Sequence, residues 1–230
     1  MLNQAFARFG SPSMPCYKPG RELGRSSNVP QPMGPQLTLF SLDDAGVPQG
    51  LRYQPDFISA ADERDLIERI QALPLAPFQF GAFEGKRRVA SFGWRYDYSQ
   101  QKLEKAEDLP AWLEPFIARI ASFGELPASS IRQVLCTEYD VGVSIGWHRD
   151  KPHFAEVFGL SLASACKFRF RRKAGAKWER FTLDAQPRSL YMMSGPARQV
   201  WEHSIPPVEQ PRYSITFRTM ATTPYSGKPA

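Results

Sequence analysis

The sequence predicts a mainly β fold, an antiparallel sandwich or barrel with helices flanking it on the N-terminal side. Three observations predict it. From Ser130 onward, short runs of β-branched and aromatic residues recur between turn signals. Before that point, two stretches carry apolar residues at helical spacing. A chain of 230 residues, 42% of them hydrophobic, is large enough to bury such a core.

In chain order, residues 1–36 are expected to be a disordered tail, because "GSPSMPCYKPGRELGRSSNVPQPMGPQ" is dense in proline and glycine. One domain is expected over 37–224, starting at "LTLFSL", with a short tail at 225–230. "SAADERDLIERIQAL" reads as a helix. Ser59 is its N-cap, and Asp62 and Glu63 suit the positive end of the helix dipole. Leu66, Ile67, Ile70 and Leu73 form its apolar stripe, and Pro74 stops it. "LPAWLEPFIARIASFG" reads as a second helix with Trp112, Leu113, Phe116, Ile117 and Ile120 inward and Gly124 at its C-terminus. Seven strands follow: "IRQVLCTEY", "VFGLSLAS", "CKFRFRRK", "WERFTLDA", "SLYMMSG", "QVWEHSI" and "YSITFRTM".

A net charge of +6 favours an anionic partner, nucleic acid among the candidates. The three cysteines, Cys16, Cys136 and Cys166, form no CxxC pair and point to a reducing compartment, with Cys136 and Cys166 as small buried hydrophobes. The N-terminus shows no signal-peptide pattern, and no run approaches the ~18 apolar residues of a membrane span. A soluble cytoplasmic protein with no membrane contact and no obligate protein partner is the expectation.

The chain has three histidines. His148 and His153 stand in "GWHRDKPHF", and His203 in "QVWEHSIPP". Residues two apart on a strand face the same side, so His148 and Asp150 can reach one metal together. A distant histidine could complete a three-point face. Two imidazoles and a carboxylate leave about three positions open on an octahedral Fe(II), which suits oxygenase chemistry. His203 is the preferred third ligand. His153 is its rival, although Pro152 interrupts the strand before it. The bland alternative is three unrelated surface histidines.

Next comes "PRYSITFR". Arg212 and Arg218 are an even number of residues apart and share a face, with Ser214 and Thr216 between them. Tyr213, Ile215 and Phe217 would pack behind. Their backbones stand about 20 Å apart, so two long arms could converge on a short dicarboxylate. Burying two guanidinium groups without anionic partners is costly, and a carboxylate-bearing co-substrate would meet that demand. The alternative is an ordinary solvent-facing strand.

The ordered set His148, Asp150, His203, Arg212 and Arg218 resembles the AlkB family of Fe(II)- and 2-oxoglutarate-dependent dioxygenases. "HRD", "EH" and "RYSITFR" carry the likeness, "TEY" at 137–139 is similar to the family's NxY element, and "SLYMMSGPARQVWEH" to its approach to the distal histidine. It covers roughly residues 50–222. Thr137 and Ser214 stand where the family has Asn. The resemblance implies a double-stranded β-helix, or jelly roll, over about 130–222. It implies Fe(II) on His148, Asp150 and His203, and the distal carboxylate of 2-oxoglutarate on Arg212 with Tyr139, with Ser214 beside them. Arg218 would support the metal-chelating end. The implied reaction consumes O2 and 2-oxoglutarate, yields succinate, and hydroxylates an N-methyl group whose product releases formaldehyde. Oxidative demethylation of alkylated bases in DNA or RNA is the leading expectation. An oxygenase acting on protein or a small molecule, or a non-catalytic nucleic-acid-binding module, are the alternatives.

Two segments bear on substrate. "FEGKRRVASFGWRYDYS" mixes Lys86, Arg87 and Arg88 with Phe92, Trp94, Tyr96 and Tyr98. Cations meet phosphates and rings meet bases, so it suits nucleic acid, and it resembles the family's substrate lid over about 78–99. Arg87, Arg88, Trp94 and Tyr96 are the candidate contacts; a hairpin whose rings pack on the core is the alternative. "CKFRFRRKAGAKWERF" places cations on one face and rings on the other, as a phosphate-binding surface or a solvated outer strand. A base must leave its duplex to reach a buried iron, so single-stranded or locally opened nucleic acid is the expected partner.

Overall fold

The computed structural model describes residues 46–222 apart from 81, 98, 99 and 101, with backbone alone for Phe80 and Phe83. The expected tails, the start of order at 37, Cys16 and Tyr98 lie outside the described residues. Helix α1 spans Ala60–Gln71 and opens on a complete capping box, in which Ser59 and Asp62 satisfy each other's backbone N–H groups. The second helical stretch divides. A 3-10 turn, Ala111–Leu113, precedes α2 at Glu114–Phe123, because Pro115 fits only a helix's first turn. Gly124 follows α2 with an ordinary φ of -81°. It is glycine for another reason: a Cβ there would stand 2.6 Å from the ring of Phe158.

All seven expected strands are present, and among the described residues five more join them. In order they are β1 (Leu51–Gln54), β2 (Ala76–Phe80), β3 (Phe83–Asp97), β4 (Lys102–Lys105), β5 (Ile131–Tyr139) and β6 (Ile145–His148). Then come β7 (Phe154–Leu162), β8 (Cys166–Ala174), β9 (Lys177–Ala185), β10 (Leu190–Met193), β11 (Glu202–Ile205) and β12 (Arg212–Met220), with the short helix α3 (Gly195–Gln199) between β10 and β11. They form an eight-stranded sheet, ordered β1-β10-β7-β12-β5-β3-β2 with β4 on β3, and a four-stranded sheet, ordered β6-β11-β8-β9. The named ladders within them are antiparallel. This is the mainly β jelly roll that the sequence predicts.

Two cores follow from strand alternation. Val134, Cys136, Ile215 and Phe217 of the large sheet pack with Leu66, Ile70, Phe116 and Ile120 of the helices. On the other face, Tyr139, Val157, Tyr191 and Met193 meet Phe168, Phe170, Leu183 and Ile205, largely from the small sheet. Cys136 and Cys166 are buried and free, as expected of small apolar residues. Within the span expected as a lid, Arg88–Gly93 are laddered to Glu138–Gln133 of β5, so that part continues the large sheet. After Gly93, whose φ is +77°, β3 pairs with β4 instead. Among the described residues, no helix is long and apolar enough to cross a membrane.

Candidate metal and co-substrate site

His148 is the last residue of β6, and Asp150 lies beyond the strand's end. Strand alternation therefore does not bring these two together; the chain's exit from β6 does. His203 sits on β11 directly across the ladder from His148. Their ring centroids are 4.3 Å apart, and Nε2 of His203 is 3.7 Å from Oδ2 of Asp150. The structure thus brings His203, rather than His153, beside the HRD triplet. His153 lies against Tyr96, with centroids 5.4 Å apart.

The protonation states follow from burial and neighbours. Nδ1 of His148 lies 2.9 Å from the Gly146 carbonyl, which can only accept. Nδ1 of the neutral ring therefore carries the hydrogen, and Nε2 keeps its lone pair for a metal. Burial pushes His203 down to about 3; the neighbouring His148 works in the same direction and Asp150 opposes it. At neutral pH its contact with Asp150 is thus between a neutral ring and a carboxylate, not an ion pair. For Asp150, burial works upward. The Arg218 guanidinium 3.0 Å away, aided by His203, Arg198 and His148, overrides burial and holds the carboxyl well below the usual range. A neutral His203 and an ionised Asp150 are the forms that donate to a metal. Among the described residues, no three His, Cys, Asp or Glu side chains are already arranged to hold an ion. The three side chains are nonetheless adjacent, and imidazole nitrogens beside a carboxylate are a donor set that suits Fe(II).

Arg212 and Arg218 of β12 face one cavity with Ser214 and Thr216, while Tyr213, Ile215 and Phe217 pack behind them in the helix-side core. Arg212 is only 1% exposed. Its Nη2 donates to Ser161 Oγ at 3.0 Å, but Nε and Nη1 have no hydrogen-bond partner. Its guanidinium lies 4.9 Å from the Tyr139 ring centroid, and the Tyr139 hydroxyl is 3.4 Å from Ser214 Oγ. A buried guanidinium with two idle donors is a cradle for a carboxylate. Arg218 differs. It donates to Gln133 Oε1 at 2.7 Å and to Asp150 Oδ1 at 3.0 Å, so it serves the Asp150 end. The cavity has a volume of about 60 Å³ and is lined by His148, Asp150, His203, Arg212, Ser214 and Arg218.

Of the candidate substrate contacts, Arg87 lines this cavity and stacks on Phe78 at 3.9 Å. Arg88 does not. Its neighbour's parity turns it away, to Glu138 at 2.9 Å and the Leu75 carbonyl at 3.3 Å. Trp94 is half-buried opposite Lys105 in the β3–β4 ladder, off the cavity wall. Tyr96 approaches the segment beside Asp150, where Lys151 Nζ lies 4.6 Å from its ring centroid. The sequence did not point to Ser161, Gln133, Tyr191 or Arg198. A serine inside the apolar run "VFGLSLAS" carries no distinguishing signal. Tyr191 packs over Gly159, its partner across the β10–β7 ladder, where a Cβ would collide with the ring at 2.1 Å. Arg198 of α3 is 5% exposed and donates to the carbonyls of Lys151 and Phe154, holding the chain just after Asp150.

Comparison with known proteins follows the same lines. The model of the 2OG-Fe(II) oxygenase superfamily matches residues 50–218. An Arabidopsis thaliana protein named "Alkylated DNA repair protein ALKBH8 homolog" is 30% identical over 184 residues, 68% of this chain and 51% of that one. The Mus musculus "tRNA (carboxymethyluridine(34)-5-O)-methyltransferase ALKBH8" is 29% identical over 169 residues, 70% of this chain and 25% of that one. The chain thus spans about half the length of the first relative and a quarter of the second. Among solved structures, that of OsALKBH1 superposes with a TM-score of 0.57 at 17% identity, covering 74% of this chain and 98% of that one, which shows the fold.

Proposed function

This chain belongs to the 2OG-Fe(II) oxygenase superfamily and is of AlkB type, and from that premise we propose that it oxidatively removes alkyl groups from bases of nucleic acid. Fe(II) and 2-oxoglutarate are the family's cofactor and co-substrate. Bound iron supplies activation of O2 for oxidising an inert C–H bond. In this reading His148, Asp150 and His203 hold the metal. The idle nitrogens of Arg212 pair with the distal carboxylate of 2-oxoglutarate, and the Tyr139 and Ser214 hydroxyls orient it. Arg218 fixes Asp150 through its ion pair and stays in place through Gln133. Arg87 and Tyr96 supply a cation and a ring for the substrate at the cavity's approach. The observation that carries the reading is a buried arginine with two unused donors, in one cavity with a carboxylate and two adjacent imidazoles.

Nucleic acid as the substrate class is supported by the names of the relatives and by the basic, aromatic β3. The methyl-transfer activity in the mouse protein's name is not carried over, because this chain matches only a quarter of that protein. The test is formaldehyde and succinate release from a panel of methylated oligonucleotides and methylated peptides. Release from oligonucleotides alone is expected, and His148→Ala or Asp150→Ala should abolish it. Release from peptides alone would replace the proposal with a protein oxygenase.

A further inference from the structure

We propose that the outer face of the four-stranded sheet is a second contact surface for single-stranded nucleic acid, holding strand outside the cavity. The ligand class rests on the function proposed above. The face is the back of the wall that carries His203. On β8, Phe168 and Phe170 are buried behind His203, while Lys167, Arg169, Arg171 and Lys173 point the other way. Arg180 and Trp178 of β9 stand directly across from Arg171 and Lys173. Trp147 of β6 lies on the same side, 4.4 Å from the Arg171 guanidinium.

Three features set this face apart from a merely solvated one. First, the aromatic rings form a row. Arg171 lies between two indoles, with Trp147 at 4.4 Å and Trp178 at 4.5 Å, and Trp178 is 43% exposed. An exposed tryptophan contributes nothing to solubility, but it offers a face for base stacking. Second, the charge is unbalanced. Among the described residues, Lys167, Arg169, Arg171, Lys173 and Arg180 face only Asp184 and Glu202 as acids across the ladders. Lys167 pairs with Asp184 and Arg171 with Glu202. Arg180 and Lys173 have no ion pair among the described residues, and Arg180 sits opposite Arg171, a like-charge pair that costs stability unless an anion lies between. Third, guarding an edge strand needs cations on the edge; here most of them are on β8, inside the sheet.

The path to the cavity is short. β6 is the edge of this sheet, and its consecutive residues Trp147 and His148 face opposite sides. A strand lying over Trp147 needs only to cross that edge to present a base beside His148. An acidic protein would satisfy the cations but would leave the indole row without a stacking partner, so nucleic acid is the better fit.

The experiment is fluorescence anisotropy of the full chain with an unmodified labelled 20-nucleotide single strand and with a labelled trinucleotide, over a range of salt. Lys173→Glu combined with Arg180→Glu is expected to weaken the 20-mer at least about tenfold and to flatten its salt dependence by roughly one phosphate contact or more. Trp178→Ala is expected to weaken it about fivefold or more with the salt slope unchanged. Trinucleotide binding should stay within about twofold, because these residues are exposed and away from the cavity. Unchanged 20-mer affinity in the variants, no 20-mer binding by the wild type, or equal competition by polyglutamate would each overturn the proposal. The readout does not depend on turnover, so failure of the demethylase reading shows separately, as absence of formaldehyde from oligonucleotides that still bind.

Discussion

Arg212 carries the clearest single-residue consequence. Its charge is buried and only part of its hydrogen-bonding capacity is used. Such a group costs stability unless a partner anion is present. Arg212→Met should therefore leave the ligand-free protein as stable or more stable in thermal unfolding. The same change should weaken 2-oxoglutarate binding by roughly 100-fold, the worth of a bidentate charge-assisted pair. A fall in stability with unchanged 2-oxoglutarate affinity would show that Arg212 is only structural. The parity of "RYSITFR" was enough to place Arg212 and Arg218 on one face. It could not show that Arg218 is already committed to Asp150 and Gln133, because those partners come from distant parts of the chain, Gln133 from β5 and Asp150 from the segment after β6.

Among the elements, α3 does more than connect β10 to β11. Its Arg198 reaches back to the carbonyls of Lys151 and Phe154, so the helix before His203 clasps the segment after Asp150. Arg198→Met would leave two carbonyls without their charged donor. A loss of about 2 kcal/mol in urea unfolding is expected. Mn(II) affinity, read by titration as a silent stand-in for iron, should fall as well, and Arg198→Lys should restore part of it. Unchanged metal affinity in a destabilised Arg198→Met protein would reduce the clasp to packing alone. Strand rhythm revealed seven strands from Ser130 onward, two of them, β10 and β11, only four residues long, while β1 and β6, also four residues each, stand outside that regular alternation with turn signals. The HRD triplet straddles the end of β6, so strand alternation does not account for how His148 and Asp150 come to line one cavity.

For the molecule as a whole, burial of the site links global stability to pH. His203 is held at about 3, below the ordinary 6.5, so on acidification the unfolded chain takes the proton first. The stability this supplies is complete above about pH 6.5 and is lost as pH falls toward 3. Asp150, also lowered, acts in the same direction below about pH 4. Urea midpoints of the metal-free protein should therefore drop between pH 6.5 and 4.5, and His203→Gln should flatten that part of the curve. A midpoint that rises on acidification in this window would contradict the burial of a neutral His203.

The sequence by itself determined the helix stripes, the N-cap at Ser59, the strand alternation of β8 and β12, and the candidate residues His148, Asp150, His203, Arg212 and Arg218. All of these are local periodicities or residue types, readable within a few positions. Only the tertiary structure decided that His203 rather than His153 joins the triplet, that Arg87 turns to the cavity while Arg88 pairs with Glu138, and that Ser161, Gln133 and Arg198 support the site. Those choices depend on which strands become neighbours across the two sheets and in what register. Pairing of that kind is set by the closure of the whole core, and no window of sequence contains it.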